Sequence, residues 1–143
     1  MSSAPPAVRR EILVIDDDAA IQRSIMRQLQ GSAFLNVDFE SDGYKGLRRL
    51  NEKDYSLVLC DVKMKPASGL EILAKIKATH PSLPVIMLTG LVDDQIIETA
   101  QRLGSSAFLI KPIRKTRLIE TISRVLGIAQ VFPGQIGDAE PLG

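Results

Sequence analysis

Tyr55-Ser56-Leu57-Val58-Leu59-Cys60-Asp61 is a mostly apolar run that stops on a carboxylate. Near-continuous hydrophobicity over so short a stretch fits a strand covered on both faces, which puts the acid at the lip of a sheet. The same design occurs earlier, where Ile12-Leu13-Val14-Ile15 runs into Asp16-Asp17-Asp18. Two later runs, Val85 to Leu88 and Ala107 to Ile110, end in Thr89 and Lys111. Acids, a hydroxyl and an amine at successive strand ends are the groups needed to hold a divalent metal and a phosphoryl group.

Working outward from these runs, strands are expected at Glu11–Ile15, Asn36–Phe39, Leu57–Cys60, Val85–Leu88 and Ala107–Ile110. Helical spacing fills the intervals. Ile21, Ile25 and Leu29 recur every fourth residue; Leu70, Leu73 and Ile76, then Ile96, Ala100 and Leu103, follow the i, i+3/i+4 rule. Leu118, Ile122, Val125 and Leu126 mark a last helix. Gly31 and Gly104 are placed to end helices in a left-handed conformation. Asp93 is placed to cap a helix start, and Pro81 and Pro84 block continuation of the third helix. Five strand–helix alternations imply right-handed crossovers and a doubly wound α/β sheet. Sites in such sheets lie beyond the carboxyl ends of the strands, which brings Asp16, Asp17, Asp61, Thr89 and Lys111 together.

Bulk properties narrow the class. A chain of 143 residues, 45% apolar and 24% charged, suits one globular domain. A net charge of +1 argues against a general nucleic-acid or membrane-surface role, since both need a concentrated basic face. No apolar stretch reaches the roughly 18 residues that span a bilayer, and the start lacks the apolar core of a secretory signal. The single cysteine, Cys60, excludes an internal disulfide and fits a reducing cytoplasm. Residues 1–9 read as a disordered lead-in, 10–127 as the folded domain, and 128–143, rich in proline and glycine, as a tail or the start of a linker.

Each site residue also has a plainer reading. Adjacent acids at a strand end often cap the following helix, and Asp18 is best read that way. Asp16 and Asp17 are different because a third carboxylate, Asp61, joins them. Clustered carboxylates repel unless a cation neutralises them, and oxygen-only donors favour a hard ion such as Mg²⁺. Asp61 can also attack phosphorus to give an aspartyl phosphate. Singly, Lys111 would be a solvated charge and Thr89 a β-branched strand residue. Their joint occurrence carries the argument.

Five short motifs in order give the chain a specific resemblance to the receiver domain of bacterial two-component response regulators, over about residues 10–127. They are Ile-Leu-Val-Ile-Asp-Asp-Asp at 12–18, Leu-Cys-Asp-Val-Lys-Met at 59–64, Gly-Leu-Glu-Ile-Leu at 69–73, Ile-Met-Leu-Thr-Gly at 86–90 and Ala-Phe-Leu-Ile-Lys-Pro-Ile at 107–113. The resemblance implies a flavodoxin-like five-stranded parallel sheet in the order 2-1-3-4-5. It makes Asp61 the phosphoacceptor, a switch rather than an enzyme acting on other molecules. Asp16, Asp17, Asp61 and the backbone carbonyl of Lys63 become the Mg²⁺ site. Thr89 is the switch hydroxyl, Phe108 the switch aromatic and Lys111 the phosphate-pairing lysine, with Pro112 following a bond that is often cis in this family. Implied partners are a sensor histidine kinase or a histidine phosphotransfer protein, an effector domain or downstream protein, and a second copy through the fourth helix, fifth strand and fifth helix.

The chain departs from the family pattern at Met64-Lys65-Pro66, where proline usually follows methionine directly. The interval from Asp61 to Gly69 is kept, so a changed loop shape is expected with the site intact. Lys63 and Leu91 flank the expected pocket and could shield an acyl phosphate from water, which implies slow self-dephosphorylation. Cys60 is expected to be buried and inert, and His80 to sit at a helix end. Arg48 and Arg49, like Arg114, Lys115, Arg117 and Arg124, read as solvated faces. Two rival functions remain: a haloacid-dehalogenase-like phosphohydrolase using Asp16 and Asp18, and a degenerate receiver acting only as a protein-binding module. The first leaves Asp61 unexplained; the complete acid, hydroxyl and lysine set opposes the second.

Overall fold

The computed structural model describes residues 9–32 and 34–128. Five strands alternate with five helices: β1 (Arg10–Ile15), α1 (Ala19–Leu29), β2 (Leu35–Glu40), α2 (Gly43–Glu52), β3 (Leu57–Asp61), α3 (Gly69–Thr79), β4 (Val85–Thr89), α4 (Asp94–Arg102), β5 (Ala107–Ile110) and α5 (Lys115–Leu126). All strand pairs are parallel and the order is β2-β1-β3-β4-β5, the doubly wound sheet expected. Two boundaries move in a way that matters. Asp61 and Thr89 are the last residues of their strands, because the ladder still pairs Asp61 with Leu88 and Thr89 with Ile110. The expected lead-in and tail lie outside the described residues, apart from Arg9 and Ile128.

Alternate side chains of the central strands feed two cores. Ile12, Val14, Leu57, Leu59, Ile86 and Leu88 pack with Ile25 and Leu29 of α1 and Leu118 and Ile122 of α5. Leu13, Ile15, Val58, Cys60, Val85 and Met87 pack with Leu50 of α2, Ile72, Leu73 and Ile76 of α3 and Ala100 of α4. Burial on both faces explains why β1, β3 and β4 read as unbroken apolar runs. Asp18, Asp42, Ser68 and Asp93 cap the first four helices with side-chain acceptors. Gly31 and Gly104 take positive φ after α1 and α4, as their positions predicted.

One expectation needs correction. Arg49 is no merely solvated charge: its guanidinium pairs with Glu40 and stands 3.6 Å from Asp38. Lys53 adds ion pairs to Glu11 at 3.0 Å and Asp38 at 2.8 Å, and the Tyr55 hydroxyl donates to Asp38 at 2.6 Å. Asp38 and Glu40 alternate with the core-packed Val37 and Phe39 on β2, an edge strand whose outer face is polar and covered by α2. Cys60 is fully buried, as expected, and His80 caps the end of α3 with Nε2 3.2 Å from the Leu50 carbonyl.

Candidate functional site

Parallel pairing leaves the carboxyl ends of β1, β3, β4 and β5 on one rim, and Asp16, Asp17, Asp61 and Lys111 meet there. Carboxylate oxygens of Asp16, Asp17 and Asp61 lie within 4.8 Å of one another. Asp16 is fully buried and fixed from several sides. Its N–H donates to the Glu40 carbonyl at 3.0 Å, and its Oδ1 accepts from the Asp18 N–H at 2.9 Å. Lys111 reaches across from the end of β5, its Nζ 3.0 Å from Asp16 Oδ2 and 3.1 Å from Asp61 Oδ1. Thr89 is buried beside them, but its hydroxyl is engaged in its own turn. Thr89 Oγ1 donates to the Leu91 carbonyl and accepts from the Leu91 N–H, both at 3.1 Å.

The remaining expected residues stand around this centre. Lys63 follows Asp61 with an exposed side chain, and Leu91 is half exposed above β4. Phe108 is partly buried against the α2–α3–α4 core and lines an open groove with Ile110, Pro112, Arg114 and Arg117. The Lys111–Pro112 bond is cis, and so is Lys65–Pro66 in the loop that departs from the family pattern. Asp18 caps α1, accepting from the Ala20 N–H at 2.9 Å, which gives this acid the structural role expected of it and stands against the dehalogenase-like reading.

The preserved interval between Asp61 and Gly69 has a steric cause. A Cβ on Gly69 would stand 1.8 Å from the Asp61 carbonyl oxygen, so only glycine lets α3 begin this close to the acid. The Gly69 N–H also donates to the Val62 carbonyl at 2.7 Å, closing the loop onto the strand end. The kept spacing was visible in the sequence; the contact that enforces it was not.

Charge balance at the rim is unequal. Burial, with Asp16 alongside, pushes the Asp61 carboxyl up to about 6 although Lys111 opposes the shift. Burial pulls Lys111 down, but its two carboxylate partners outweigh that and raise it. Burial likewise raises the Cys60 thiol, consistent with an inert side chain. One ammonium therefore faces three acids. Among the described residues Asp16 Oδ2 is buried without a hydrogen-bond partner, and it forms an ion pair with Lys111. An under-satisfied carboxylate oxygen among oxygen donors suits a hard divalent cation, so the residues fit Mg²⁺.

An open parallel sheet in this order, with an acidic rim and a lysine crossing it, defines a receiver domain, and the chain belongs to that family: the response regulator receiver domain model matches residues 12–123. Among curated proteins, the chain is 34% identical over 116 residues to the transcriptional regulatory protein ZraR of Salmonella typhimurium, covering 81% of this chain and 26% of that protein. It thus spans about a quarter of that relative's length. Among solved structures, it resembles the signal receiver domain of an HD domain-containing protein from Pseudomonas fluorescens Pf-5, with a TM-score of 0.79 and 27% identity over 83% of this chain and 95% of that one. The receiver domain of NtrX from Brucella abortus gives a TM-score of 0.75 and 30% identity over 82% and 99%.

Proposed function

We propose that residues 10–127 form a phosphorylation-operated switch in which Asp61 accepts a phosphoryl group from a phosphohistidine of a sensor histidine kinase or a histidine phosphotransfer protein. The observation that supports this most directly is the convergence of three carboxylates and Lys111 at one rim. Asp61 Oδ attacks phosphorus, the P–N bond breaks, and the imidazole leaves with its electron pair and takes up a proton. Asp16, Asp17, Asp61 and the Lys63 carbonyl would hold Mg²⁺, which when bound neutralises phosphoryl oxygens and lowers the cost of bringing them to a carboxylate. Lys111 supplies a fixed positive charge to the same oxygens.

The output follows from Thr89. A phosphoryl oxygen competes with the Leu91 backbone for the Thr89 hydroxyl, and movement of that side chain opens space for Phe108. The surface of α4, β5 and α5 then changes for an effector domain, a downstream protein or a second copy of the chain. This is a local charge event biasing a two-state element. The domain turns over no external substrate and works in the cytoplasm; among the described residues no helix is long and apolar enough to cross a membrane.

The test is stoichiometric. With Mg²⁺ and a phosphohistidine donor, the chain should take up one acid-stable, base-labile phosphoryl group, and Asp61→Asn should take up none. Labelling of Asp61→Asn to the same extent would refute the assignment.

A further inference from the structure

Two glutamines on α1 tie into opposite arms of the site, and neither is explained by the chemistry above. Gln22 Nε2 donates to the Asp16 carbonyl at 2.7 Å and to the Glu40 carbonyl at 3.3 Å. Gln28 Nε2 donates to the Ile113 carbonyl at 2.8 Å and to Ser24 Oγ at 3.1 Å. At 100° per residue the two side chains stand about 120° apart, flanking the Ile21, Ile25 and Leu29 stripe that packs into the core. One amide therefore ties the Asp16 backbone, just past β1, to the end of β2. The other holds the segment two residues beyond Lys111. Gln28 Oε1 is buried with no hydrogen bond, a cost that an apolar residue at this position would avoid. The orientation of its amide is set by the Ile113 carbonyl, which requires the NH₂ group to face it.

We propose that Gln22 and Gln28 are positioning residues that make α1 a strap across the site, with Gln22 fixing the metal-binding acid arm and Gln28 fixing the lysine arm. Groups behind metal ligands and transition-state cations act by holding them in geometry before the ligand arrives. The two glutamines should therefore fail differently. Loss of the Gln22 donor loosens the Asp16 backbone and weakens cation binding. Loss of the Gln28 donor loosens the Lys111 segment and slows transfer after the cation is in place. The inference rests on the proposed phosphoacceptor reading.

The test uses Gln22→Met and Gln28→Met, which keep side-chain length and helix propensity while removing the amide. Mg²⁺ affinity is measured by calorimetric titration, and phosphoryl uptake from acetyl phosphate is measured at saturating Mg²⁺. Gln22→Met should weaken Mg²⁺ binding about fivefold or more and leave uptake at saturation within about twofold of the parent. Gln28→Met should bind Mg²⁺ like the parent and take up phosphoryl groups about fivefold more slowly. Parent-like values in both variants would overturn the proposal. So would parallel losses in both measurements that track a fall in folded fraction. A parent chain that binds no Mg²⁺ and takes up no phosphoryl group would instead defeat the functional reading itself.

Discussion

Asp61 carries opposing demands that a single titration can expose. Its carboxyl is raised from an ordinary 3.8 to about 6 by burial and by Asp16, so the folded metal-free protein holds that proton to a higher pH than the unfolded chain does. A folded-state value above the unfolded one contributes stability below about pH 4, and that contribution is lost as pH rises through about 6. At pH 8 with a chelator, Asp61→Asn should therefore be more stable than the parent, by about 1–3 kcal/mol. Thermal melts across pH should show the gap closing near pH 4; a gap that stays constant with pH would assign it to something other than this carboxyl. Excess Mg²⁺ should reverse the order, because the proposed site of three carboxylates would hold the cation more tightly than the two left in the variant. Lys63 offers a second residue-scale test. Its exposed stem follows Asp61 by two positions, and the shielding proposed for it predicts that Lys63→Ala shortens the acyl-phosphate lifetime, read from loss of label with time. An unchanged lifetime would remove Lys63 from that role.

Elements turn these residues into a site, and glycine contacts set how closely they approach. Gly69 would meet backbone, since its Cβ would stand 1.8 Å from the Asp61 carbonyl oxygen. Gly46 would meet a side chain instead, Ile15 with Cδ1 at 2.5 Å and Cγ1 at 2.9 Å, which is buried and must shift but is not backbone. Gly69→Ala should thus cost more than about 3 kcal/mol and distort the loop bearing Lys63, whereas Gly46→Ala should cost about 1–2 kcal/mol and spare the site. Chemical denaturation of the two variants checks the order. The contrast also shows how far the sequence could be read. β1, β3 and β4 were legible because burial on both faces demands continuous apolar residues, and their strand ends were legible because that demand stops abruptly at an acid or a hydroxyl. Gln22, Gln28 and Arg49 were not. Each acts through a bond to a carbonyl or carboxylate brought near by the fold, and a polar side chain on a helix has no periodicity to distinguish that role from solvation.

For the whole molecule, the sheet divides into a side stapled by ion pairs and a side that carries an open groove. The β2 edge is held by Arg49 and Lys53 acting on Glu11, Asp38 and Glu40. The β5 edge has a half-exposed Ile110, a partly buried Phe108 and an open groove beside α5. Thr89 and Lys111 both belong to that second side, since β4 pairs with β5 at the sheet's other end. A phosphoryl mimic at Asp61 should therefore send its change one way. With Mg²⁺ and beryllofluoride, backbone amide shifts should concentrate in residues 89–117 and leave β2 nearly unchanged. The Leu91 amide is the sharpest reporter, because its acceptor is the Thr89 hydroxyl, the group the proposed switch would recruit. Its hydrogen exchange should accelerate on activation. Thr89→Val keeps the β-branched shape without the hydroxyl; its Leu91 amide should exchange fast from the outset, and the mimic should no longer shift Phe108. Changes spread evenly over both edges, or an unaltered Leu91 amide, would break the link between Thr89 and the moving side. The asymmetry of the sheet would then be a matter of stability alone, because the two edges would answer the same charge equally.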